Sequence, residues 1–419
     1  MGKTVSEKIF STASGVDARA GDIVLADVDL AMAHDGTAPL AIKSFKEMNG
    51  KKVWNKDKVV LVIDHISPSA YEGTSNLHKN MRYFAQEQGI TNFYDVGSGV
   101  CHQLVVENHV EPGFLVVGAD SHTCTYGALG AFSTGIGSTE MAAVFLTGKL
   151  WFKVPATLRF NLSGSLPHFV TAKDIILYIA GQIRADGATY NAIEFSGEIV
   201  KSLSIDERLT LCNMAVEMGG KTGLVEADEK TLEYFTKLGR GNVKPVKNDT
   251  DANFAANYDY NVSNLSPQIA CPPRVDNVKP VKEVQGLRID QVFLGSCTNG
   301  RYEDLEMAAR IIQGKKVAPG VRMLVVPASR KIFLEALKNG LIEILLESGC
   351  VICNPGCGVC VGGHQGVPAS GEVVLSTSNR NFVGRMGCAE ADIYLCSPIT
   401  ATVSAVEGRI TDPCTWEER

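Results

Sequence analysis

The stretch DQVFLGSCTNGR, residues 290 to 301, runs from a short apolar segment into a loop of glycine, hydroxyl, amide and thiol residues. A short segment rich in Val, Leu or Ile and followed by polar residues or glycine is typical of a buried strand in a parallel sheet. Four other stretches have this form: KVVLVIDH (58–65), GFLVVGAD (113–120), RMLVVPAS (322–329) and GCVICN (349–354). Helical patterns lie between the strands, among them SNLHKNMRYFAQEQG (75–89), DLEMAARIIQG (304–314) and RKIFLEALKNG (330–340). This alternation predicts an α/β fold in which parallel-containing sheets are covered by helices.

Polar residues follow several of these predicted strands. They are Asp64-His65, Asp120-Ser121-His122 and Ser296-Cys297-Thr298-Asn299. Open α/β sheets bind their ligands outside the carboxyl ends of the strands. We therefore expect the functional site where these three groups of residues come together.

Two shifts in composition suggest domain boundaries. A new pattern begins in KVPATLRFNLSG (153–164), and residues 242–286 are polar, contain proline and have weak periodicity. The polar stretch has the character of an extended connection into a last domain. We expect three α/β domains, at 1–156, 157–284 and 285–419, with the last one carrying the cysteines discussed below.

Composition and charge exclude several classes of protein. With 45% hydrophobic and 21% charged residues, the chain is typical of a globular protein with large cores. The net charge of −6 gives no reason to expect a nucleic-acid partner, which calls for a basic face. The sequence has neither a long apolar run nor a signal peptide, so we expect a cytoplasmic protein without a membrane partner.

A glycine-rich loop, NPGCGVCVGGHQG (354–366), holds two of the twelve cysteines, Cys357 and Cys360. Such a loop cannot depend on side-chain packing, and two thiolates on one metal or cluster would fix it. The alternatives are a pair of buried thiols, a redox CxxC motif, or a zinc site completed by Cys350 and Cys353. Cys350 and Cys353 lie in a predicted buried strand, where residues three apart point to opposite faces.

Two further motifs make a cluster the more specific interpretation. GSCTNGR (295–301) supplies Cys297, and STSNRNFVGR (376–385) supplies an Asn-Arg group. Three thiolates on separate loops can hold three irons of a cubane and leave a fourth iron without a protein ligand. An open iron is a Lewis acid that can bind a substrate hydroxyl and carboxylate. Arg380 and Arg385 would offer forked, permanently charged donors to carboxylates.

A second glycine-rich stretch, YGALGAFSTGIGSTE (126–140), resembles a dinucleotide-binding loop. It lacks the third glycine and the acidic residue that such a loop requires. We interpret it as a tight turn where a helix packs.

The motifs GSCTNG, NPGCGVC and SNRNFVGR, in that order, are similar to the signature of the aconitase superfamily. Further matching blocks extend over nearly the whole chain: MAHDGT (32–37), DH (64–65), CHQ (101–103), GADSHT (118–123) and CNMAVEMGGKTG (212–223). Aconitases carry a fourth, swivelling domain with a base serine, for which we see no counterpart here. The chain therefore resembles the separate large subunits of 3-isopropylmalate dehydratase and homoaconitase, which have three domains and lack the swivel domain. This resemblance implies a separate small subunit that supplies the serine, in a heterodimer or heterotetramer.

The resemblance also implies roles for individual residues. Cys297, Cys357 and Cys360 would ligate a [4Fe-4S] cluster that has one iron without a protein ligand. The catalytic residues would be Asp64, His65, His102, Asp120, His122 and Glu217, with His65 as the acid that protonates the departing hydroxyl. Substrate contacts would come from His34, Asp35, Ser121, Arg380 and Arg385, and the cluster environment from Asn213 and Asn379. His34 stands where aconitases carry a glutamine, and His364 follows the cluster loop without an implied role. His78, His109 and His168 lie outside the motifs, and we expect them to be surface or structural residues.

The activity implied by the resemblance is that of a hydro-lyase. It would dehydrate and rehydrate a 2-hydroxy carboxylate, with 2-isopropylmalate and 3-isopropylmalate of leucine biosynthesis as the first candidates. Homoaconitase and 2,3-dimethylmalate dehydratase activities are the alternatives within the family. An iron-sulfur electron carrier and an RNA-binding regulator are the alternatives from other classes. A carrier would need four cysteine ligands, and the regulator is at odds with the acidic charge.

Overall fold

The computed structural model describes residues 2–416 as a series of alternating strands and helices. The strands are β1 (Ile23–Asp27), β2 (Leu30–His34), β3 (Val59–Val62), β4 (Phe93–Tyr94), β5 (Leu115–Gly118), β6 (Phe132–Gly135), β7 (Lys149–Lys153), β8 (Thr157–Ser163), β9 (Ala192–Ser196), β10 (Thr222–Val225), β11 (Ala256–Asn261), β12 (Gln268–Ala270), β13 (Val278–Pro280), β14 (Gln291–Leu294), β15 (Arg322–Val325), β16 (Val351–Ile352), β17 (Val373–Ser376) and β18 (Asp392–Cys396). The five strands predicted from sequence correspond to β3, β5, β14, β15 and β16.

The helices surround these strands. They are α1 (Val5–Ser14), α2 (Ala38–Glu47), α3 (Glu72–Gln88), α4 (Cys101–Asn108), α5 (Ser138–Thr147), α6 (Ala172–Ile183), α7 (Glu198–Ser202), α8 (Ile205–Asn213), α9 (Glu229–Lys237), α10 (Tyr302–Ile312), α11 (Arg330–Lys338), α12 (Leu341–Glu347) and α13 (Pro398–Glu407). The three predicted helices correspond to α3, α10 and α11. Helix α3 ends at Gly89, whose φ of 69° is the left-handed conformation that favours glycine at a helix end.

Two parallel sheets are built from strands β2 to β6 and β8 to β11. A five-stranded sheet has the order β4-β3-β2-β5-β6, and a four-stranded sheet has the order β10-β9-β8-β11. Strands β3 and β5 have the sequences VVLV and LVVG, and all of their residues are buried. Continuous apolar character of this kind reflects a strand that is covered on both faces. The antiparallel pair β1-β7 forms a separate ribbon.

The last sheet has seven strands in the order β13-β12-β18-β17-β14-β15-β16. The strands from β18 to β16 are parallel, and β12 and β13 add an antiparallel edge. The observed sheets confirm the predicted α/β fold with parallel-containing sheets.

The polar stretch 242–286 is more ordered than its composition suggested. It contains β11, β12 and β13, of which β11 pairs with β8 while β12 and β13 join the seven-stranded sheet. Strands β11 and β13 are sheet edges, where one side of the strand faces solvent and polar residues are tolerated. For this reason the segment lacked the apolar pattern of a buried strand.

The sheets position the site through their carboxyl edges. Strands β2, β3 and β5 are neighbours and parallel, so the residues that follow them lie at one edge of the five-stranded sheet. Strands β14 and β17 are also parallel neighbours, which places the loops after Leu294 and Ser376 side by side.

Within residues 2–416, no helix combines the length and apolar character needed to cross a membrane.

Candidate active site

Histidines converge at the carboxyl edge of the five-stranded sheet. Strand β2 ends at His34, and β3 ends three residues before His65. The two rings stack with their centroids 3.7 Å apart. The backbone N–H of Gly36 contacts His34 Nδ1 at 3.1 Å, and Nε2 lies 3.3 Å from Asp120 Oδ2. Burial lowers the pKa of His34, but Asp120 and Asp35 raise it to about 10.

Asp35 fixes the turn that follows β3. Its carboxylate accepts the backbone N–H groups of Asp64 at 3.3 Å, His65 at 2.9 Å and Ile66 at 2.9 Å. The second oxygen also lies 3.1 Å from Nε2 of His78, which is buried. Burial raises the pKa of Asp35, but its histidine hydrogen bonds outweigh burial and hold that pKa well below the usual range. Asp35 therefore organises the site from behind and does not line the cavity.

Asp64 and His65 form the first carboxylate-histidine pair. His65 Nδ1 lies 2.8 Å from Asp64 Oδ1, and the other Asp64 oxygen accepts the backbone N–H of Cys101 at 2.6 Å. Because β3 ends at Val62, the chain has left the strand before these residues and both side chains can lie together. The carboxylate fixes the tautomer of His65 and turns its Nε2 toward the cavity.

His102 and Asp120 form the second pair. His102 lies in the first turn of α4, and its Nε2 is 2.9 Å from Asp120 Oδ1. Burial lowers the pKa of His102, because Asp120 compensates only in part. The other ring nitrogen lies 3.0 Å from the hydroxyl of Tyr126. Sequence reasoning missed Tyr126, because it lies in a glycine-rich stretch that was interpreted as a packing turn.

His122 and Glu217 form the third pair, which extends to an arginine. His122 Nε2 and Arg380 Nε lie 2.9 Å and 2.7 Å from the same oxygen of Glu217. Burial lowers the pKa of His122, but Asp120 and Glu217 together raise it above the usual value. Burial raises the pKa of Glu217, yet His122 and Arg380 hold it below its usual range. This arrangement favours a charged His122 beside an ionised Glu217.

Three cysteines line the same cavity as these histidines. Cys297 lies on the loop after β14, while Cys357 and Cys360 come from the glycine-rich loop. The cavity has a volume of about 240 Å³ and is lined by His34, Gly36, Thr37, His65, Ile66, Val100, His102, Asp120, His122, Cys297, Cys357, Cys360, Val361, Asn379, Arg380 and Arg385. Cys350 and Cys353 flank β16 and are not part of this lining.

The three thiols have different electrostatic surroundings. A hydrogen bond from Cys357 holds the pKa of Cys360 well below its usual value, and the guanidinium of Arg385, whose Nη2 is 3.3 Å from that sulfur, adds to the effect. The same hydrogen bond and burial raise the pKa of Cys357. Burial raises the pKa of Cys297 to about 12.

Side-chain amides surround the sulfur of Cys297. The Nδ2 group of Asn213 lies 3.2 Å from this sulfur, and that of Asn379 lies 3.6 Å away. The two amides are linked to each other, since Asn379 Nδ2 donates to Asn213 Oδ1 at 3.1 Å. Thr298 completes the network by donating to Asn213 Oδ1 and accepting from Asn379 Nδ2 at 3.0 Å each.

This donor set fits an iron-sulfur cluster. Soft thiolates are the ligands of such clusters, and N–H donors to sulfur tune them. Three buried thiols face one cavity, with amide and guanidinium donors aimed at two of the sulfurs.

Ser121 is the one predicted substrate-binding residue on a different cavity. It lines a neighbouring cleft of about 380 Å³ together with Gly135, Gly137 and Lys221. Gly135 is required there, because a Cβ at this position would lie 2.6 Å from the carbonyl oxygen of Asp120. The stretch 126–140 is thus not a single turn, since it contains β6 and the start of α5, and its Gly135 packs against the Asp120-Ser121-His122 segment.

Comparison with known proteins agrees with this architecture. The sequence model of the aconitase family (aconitate hydratase) matches residues 7–408. The chain is 56% identical to the 3-isopropylmalate dehydratase large subunit 1 of Methanopyrus kandleri, over 99% of both chains. It is 53% identical to a probable methanogen homoaconitase large subunit of Methanosarcina mazei, over 93% of this chain and 99% of that one.

The structure also resembles a solved one. The crystal structure of Thermococcus kodakaraensis aconitase X in its holo-form superposes with a TM-score of 0.53 over 87% of each chain, at 14% identity. At this identity the likeness concerns the fold alone. The family match over nearly the whole length, together with close relatives of the same extent, establishes that the chain belongs to the aconitase family.

Proposed function

We propose that this chain is the catalytic large subunit of a 3-isopropylmalate dehydratase, which interconverts 2-isopropylmalate and 3-isopropylmalate by dehydration and rehydration. The observation that carries the proposal is one cavity that combines three cysteines with three carboxylate-histidine pairs and two arginines. An electron carrier would need none of the histidines or arginines. The relative from Methanopyrus kandleri supports the choice of substrate.

Cys297, Cys357 and Cys360 would hold the cofactor of this reaction. When bound by these thiolates, a [4Fe-4S] cluster supplies one iron without a protein ligand, which is a Lewis acid for the hydroxyl of the substrate. Asn213 and Asn379 stabilise the negative charge on the sulfur of Cys297 through their amide groups. The guanidinium of Arg385 stabilises the negative charge on the sulfur of Cys360.

His65 is the residue that protonates the departing hydroxyl. Its Nδ1 faces Asp64, so its Nε2 faces the cavity, and the ring is 7% exposed. Hydroxide is a poor leaving group, and a proton delivered in the transition state lowers the barrier. Asp35 holds the turn that aims His65, which gives that carboxylate a supporting role.

Arg380 and Arg385 bind carboxylate groups of the substrate. Both line the cavity, and the side chain of Arg380 is 24% exposed while it is anchored to Glu217. The proton removed lies next to a carboxylate, so negative charge develops there and must be stabilised by fixed donors. His34 and Ser121 complete the substrate contacts, with Ser121 reached from the neighbouring cleft.

The base that removes the carbon-bound proton would come from a separate small subunit, as a serine. The carboxylates around the cavity are already engaged: Asp64 with His65, Asp120 with His102, and Glu217 with His122. Burial raises the pKa of Asp120, but the histidines around it hold that pKa well below its usual range, so it is a weak base. A partner that completes the site in a heterodimer or heterotetramer is consistent with relatives named as large subunits.

Homoaconitase is the second candidate function. The Methanosarcina mazei relative is almost as similar as the first one, and both classes act on 2-hydroxy acids that differ in the group attached to a common core. The two substrates place an isopropyl group or a carboxylate-bearing chain in the same position.

The test is a steady-state assay of the reconstituted complex under anaerobic conditions. The chain is combined with its cognate small subunit and supplied separately with 3-isopropylmalate, homocitrate and citrate. We expect kcat/KM to be highest for 3-isopropylmalate. A preference for homocitrate would replace the proposal with the second candidate, and turnover of none of the three would contradict both.

A further inference from the structure

Among residues 2–416, three lysine or arginine side chains are fully buried: Lys173, Arg208 and Arg301. Arg208 is neutralised by a bidentate ion pair with Asp228, with both oxygens 2.7 Å from the guanidinium. Neither Lys173 nor Arg301 forms a salt bridge with any carboxylate of residues 2–416. Burying a charge without an opposite charge is costly, so these two residues require an explanation.

Lys173 holds the loop that follows β17. It belongs to α6, which packs from the region of the four-stranded sheet, and its Nζ donates to the carbonyls of Thr377 at 2.8 Å and Ser378 at 2.5 Å. These two residues directly precede Asn379 and Arg380. A cation from a different part of the chain thus fixes the backbone that presents an amide to Cys297 and an arginine to the cavity.

Arg301 holds the loop that follows β14 in the same way. Its guanidinium donates to the carbonyls of Cys297 at 2.5 Å and Thr298 at 2.8 Å. It also donates to Gln103 of α4 at 3.1 Å and to Thr210 of α8 at 3.2 Å. The loop carrying the first thiol is therefore tied to two helices through one side chain.

Carboxyl groups near these cations carry negative charge at neutral pH without forming a salt bridge with them. Burial raises the pKa of Asp174 and Asp304 to about 6 and that of Asp206 to about 7, so the first two are mostly ionised at pH 7. Both cations nevertheless donate directly to backbone carbonyls of the two loops.

We propose that Lys173 and Arg301 are positioning residues. Lys173 fixes the loop that presents Asn379 and Arg380, and Arg301 fixes the loop that carries Cys297. This inference concerns only the chain itself and can be tested without a cluster.

The experiment that tests this inference measures amide hydrogen exchange in the cluster-free chain. The exchange is followed in the peptides that cover 295–301 and 376–381. Lys173→Met removes both donor and charge, whereas Lys173→Gln is neutral but can still donate to the carbonyls. We expect faster exchange at 376–381 in Lys173→Met, with Lys173→Gln closer to wild type. We likewise expect faster exchange at 295–301 in Arg301→Lys. Arg208→Met is the matched control, since it removes a buried cation that does not contact either loop.

Thermal melting establishes that each variant folds before exchange is compared. Exchange at both loops that stays at the wild-type rate in folded Lys173→Met and Arg301→Lys would overturn the positioning role. So would an equal acceleration at the same peptides in Arg208→Met, because the effect would then reflect general loosening.

Discussion

At the scale of single residues, the surroundings of a cysteine decide what its sulfur can do. Cys297 and Cys350 are both 5% exposed. The sulfur of Cys297 receives an amide donor from Asn213 and lines the cavity, whereas Cys350 is flanked by apolar strand residues. A buried thiolate is stable only where donors or a metal compensate for the lost solvation.

Cys297→Ser should therefore abolish assembly of the cluster. A serine hydroxyl at this position is a harder and more basic ligand than a thiolate. The measurement is visible absorbance after anaerobic reconstitution with iron and sulfide. Cys350→Ser is the control with equal burial and should give a normal spectrum. A normal spectrum from Cys297→Ser would remove this cysteine from the ligand set.

Arg385→Gln should make Cys360 less reactive in the cluster-free chain. The guanidinium helps to hold the pKa of Cys360 low, so its loss raises that pKa. We expect the pH profile of Cys360 alkylation by iodoacetamide to move to higher pH, because the thiolate is the reactive form. Arg385→Lys keeps the charge and should have a smaller effect. Peptide mass spectrometry identifies the site, and equal rates in all three chains would contradict the assignment.

At the scale of single elements, short turns at strand ends determine the geometry of the site. The turn after β3 depends on Asp35, whose two oxygens accept three successive backbone N–H groups. Strand β9 carries a buried carboxylate, Glu194, that is less well satisfied than Asp35. One of its oxygens has no hydrogen-bond partner among the described residues.

Asp35→Ala should lower both stability and catalysis. Three N–H groups lose their acceptor, and we expect the free energy of unfolding to fall by about 3 kcal/mol. Urea denaturation measures this loss, and kcat should fall more than KM rises, because His65 is no longer aimed. Asp57→Ala, at an exposed position, should change stability by no more than about 0.5 kcal/mol. Unchanged stability in Asp35→Ala would show that water replaces the carboxylate.

Glu194→Gln should stabilise the protein at high pH only. Burial raises the pKa of Glu194 to about 7 in the folded state from its ordinary value of 4.5. The folded chain therefore binds a proton that the unfolded chain has released, and stability is lost as the pH rises from about 4.5 to about 7. At pH 8 the neutral glutamine avoids this loss, and we expect a gain of about 2 kcal/mol that disappears near pH 4. Urea denaturation at both pH values checks the result. An equal gain in stability at both pH values would show that the gain comes from packing and not from the charge of Glu194.

At the scale of the whole molecule, the cavity exists only where separate sheets meet. The five-stranded sheet supplies His34, His65 and Asp120, and the seven-stranded sheet supplies the cysteine loops and Arg380. The region of the four-stranded sheet adds Asn213 and Glu217, at and just after the end of α8. The carboxylates around the cavity are already hydrogen-bonded to histidines of this chain, which is why we propose that the base comes from a partner.

The purified chain alone should therefore assemble a cluster but show no dehydratase turnover. The missing group is the base that the small subunit is proposed to supply. Adding the small subunit to the same reconstituted preparation should restore activity, measured by the ultraviolet absorbance of the unsaturated product. Full turnover by the single chain would contradict the need for a partner.

The sequence by itself determined which elements form and which residue types the site contains. Strand β14 followed by Cys297, and the Gly-Pro loop with Cys357 and Cys360, could be identified because buried strands and metal-binding loops have local patterns. The pattern failed for β11 and β13, because polar edge strands acquire their structure from the sheet they join.

Only the tertiary structure decided which partner each side chain has. Asp35 contacts His78 across 43 residues, and Lys173 contacts Thr377 across 204 residues. The sequence placed His78 outside the motifs and gave Lys173 no role, because neither residue lies in a local pattern. Hydrogen bonds and charge interactions depend on distance in space, so pairs of this kind are formed by packing of separate elements and have no signature along the chain.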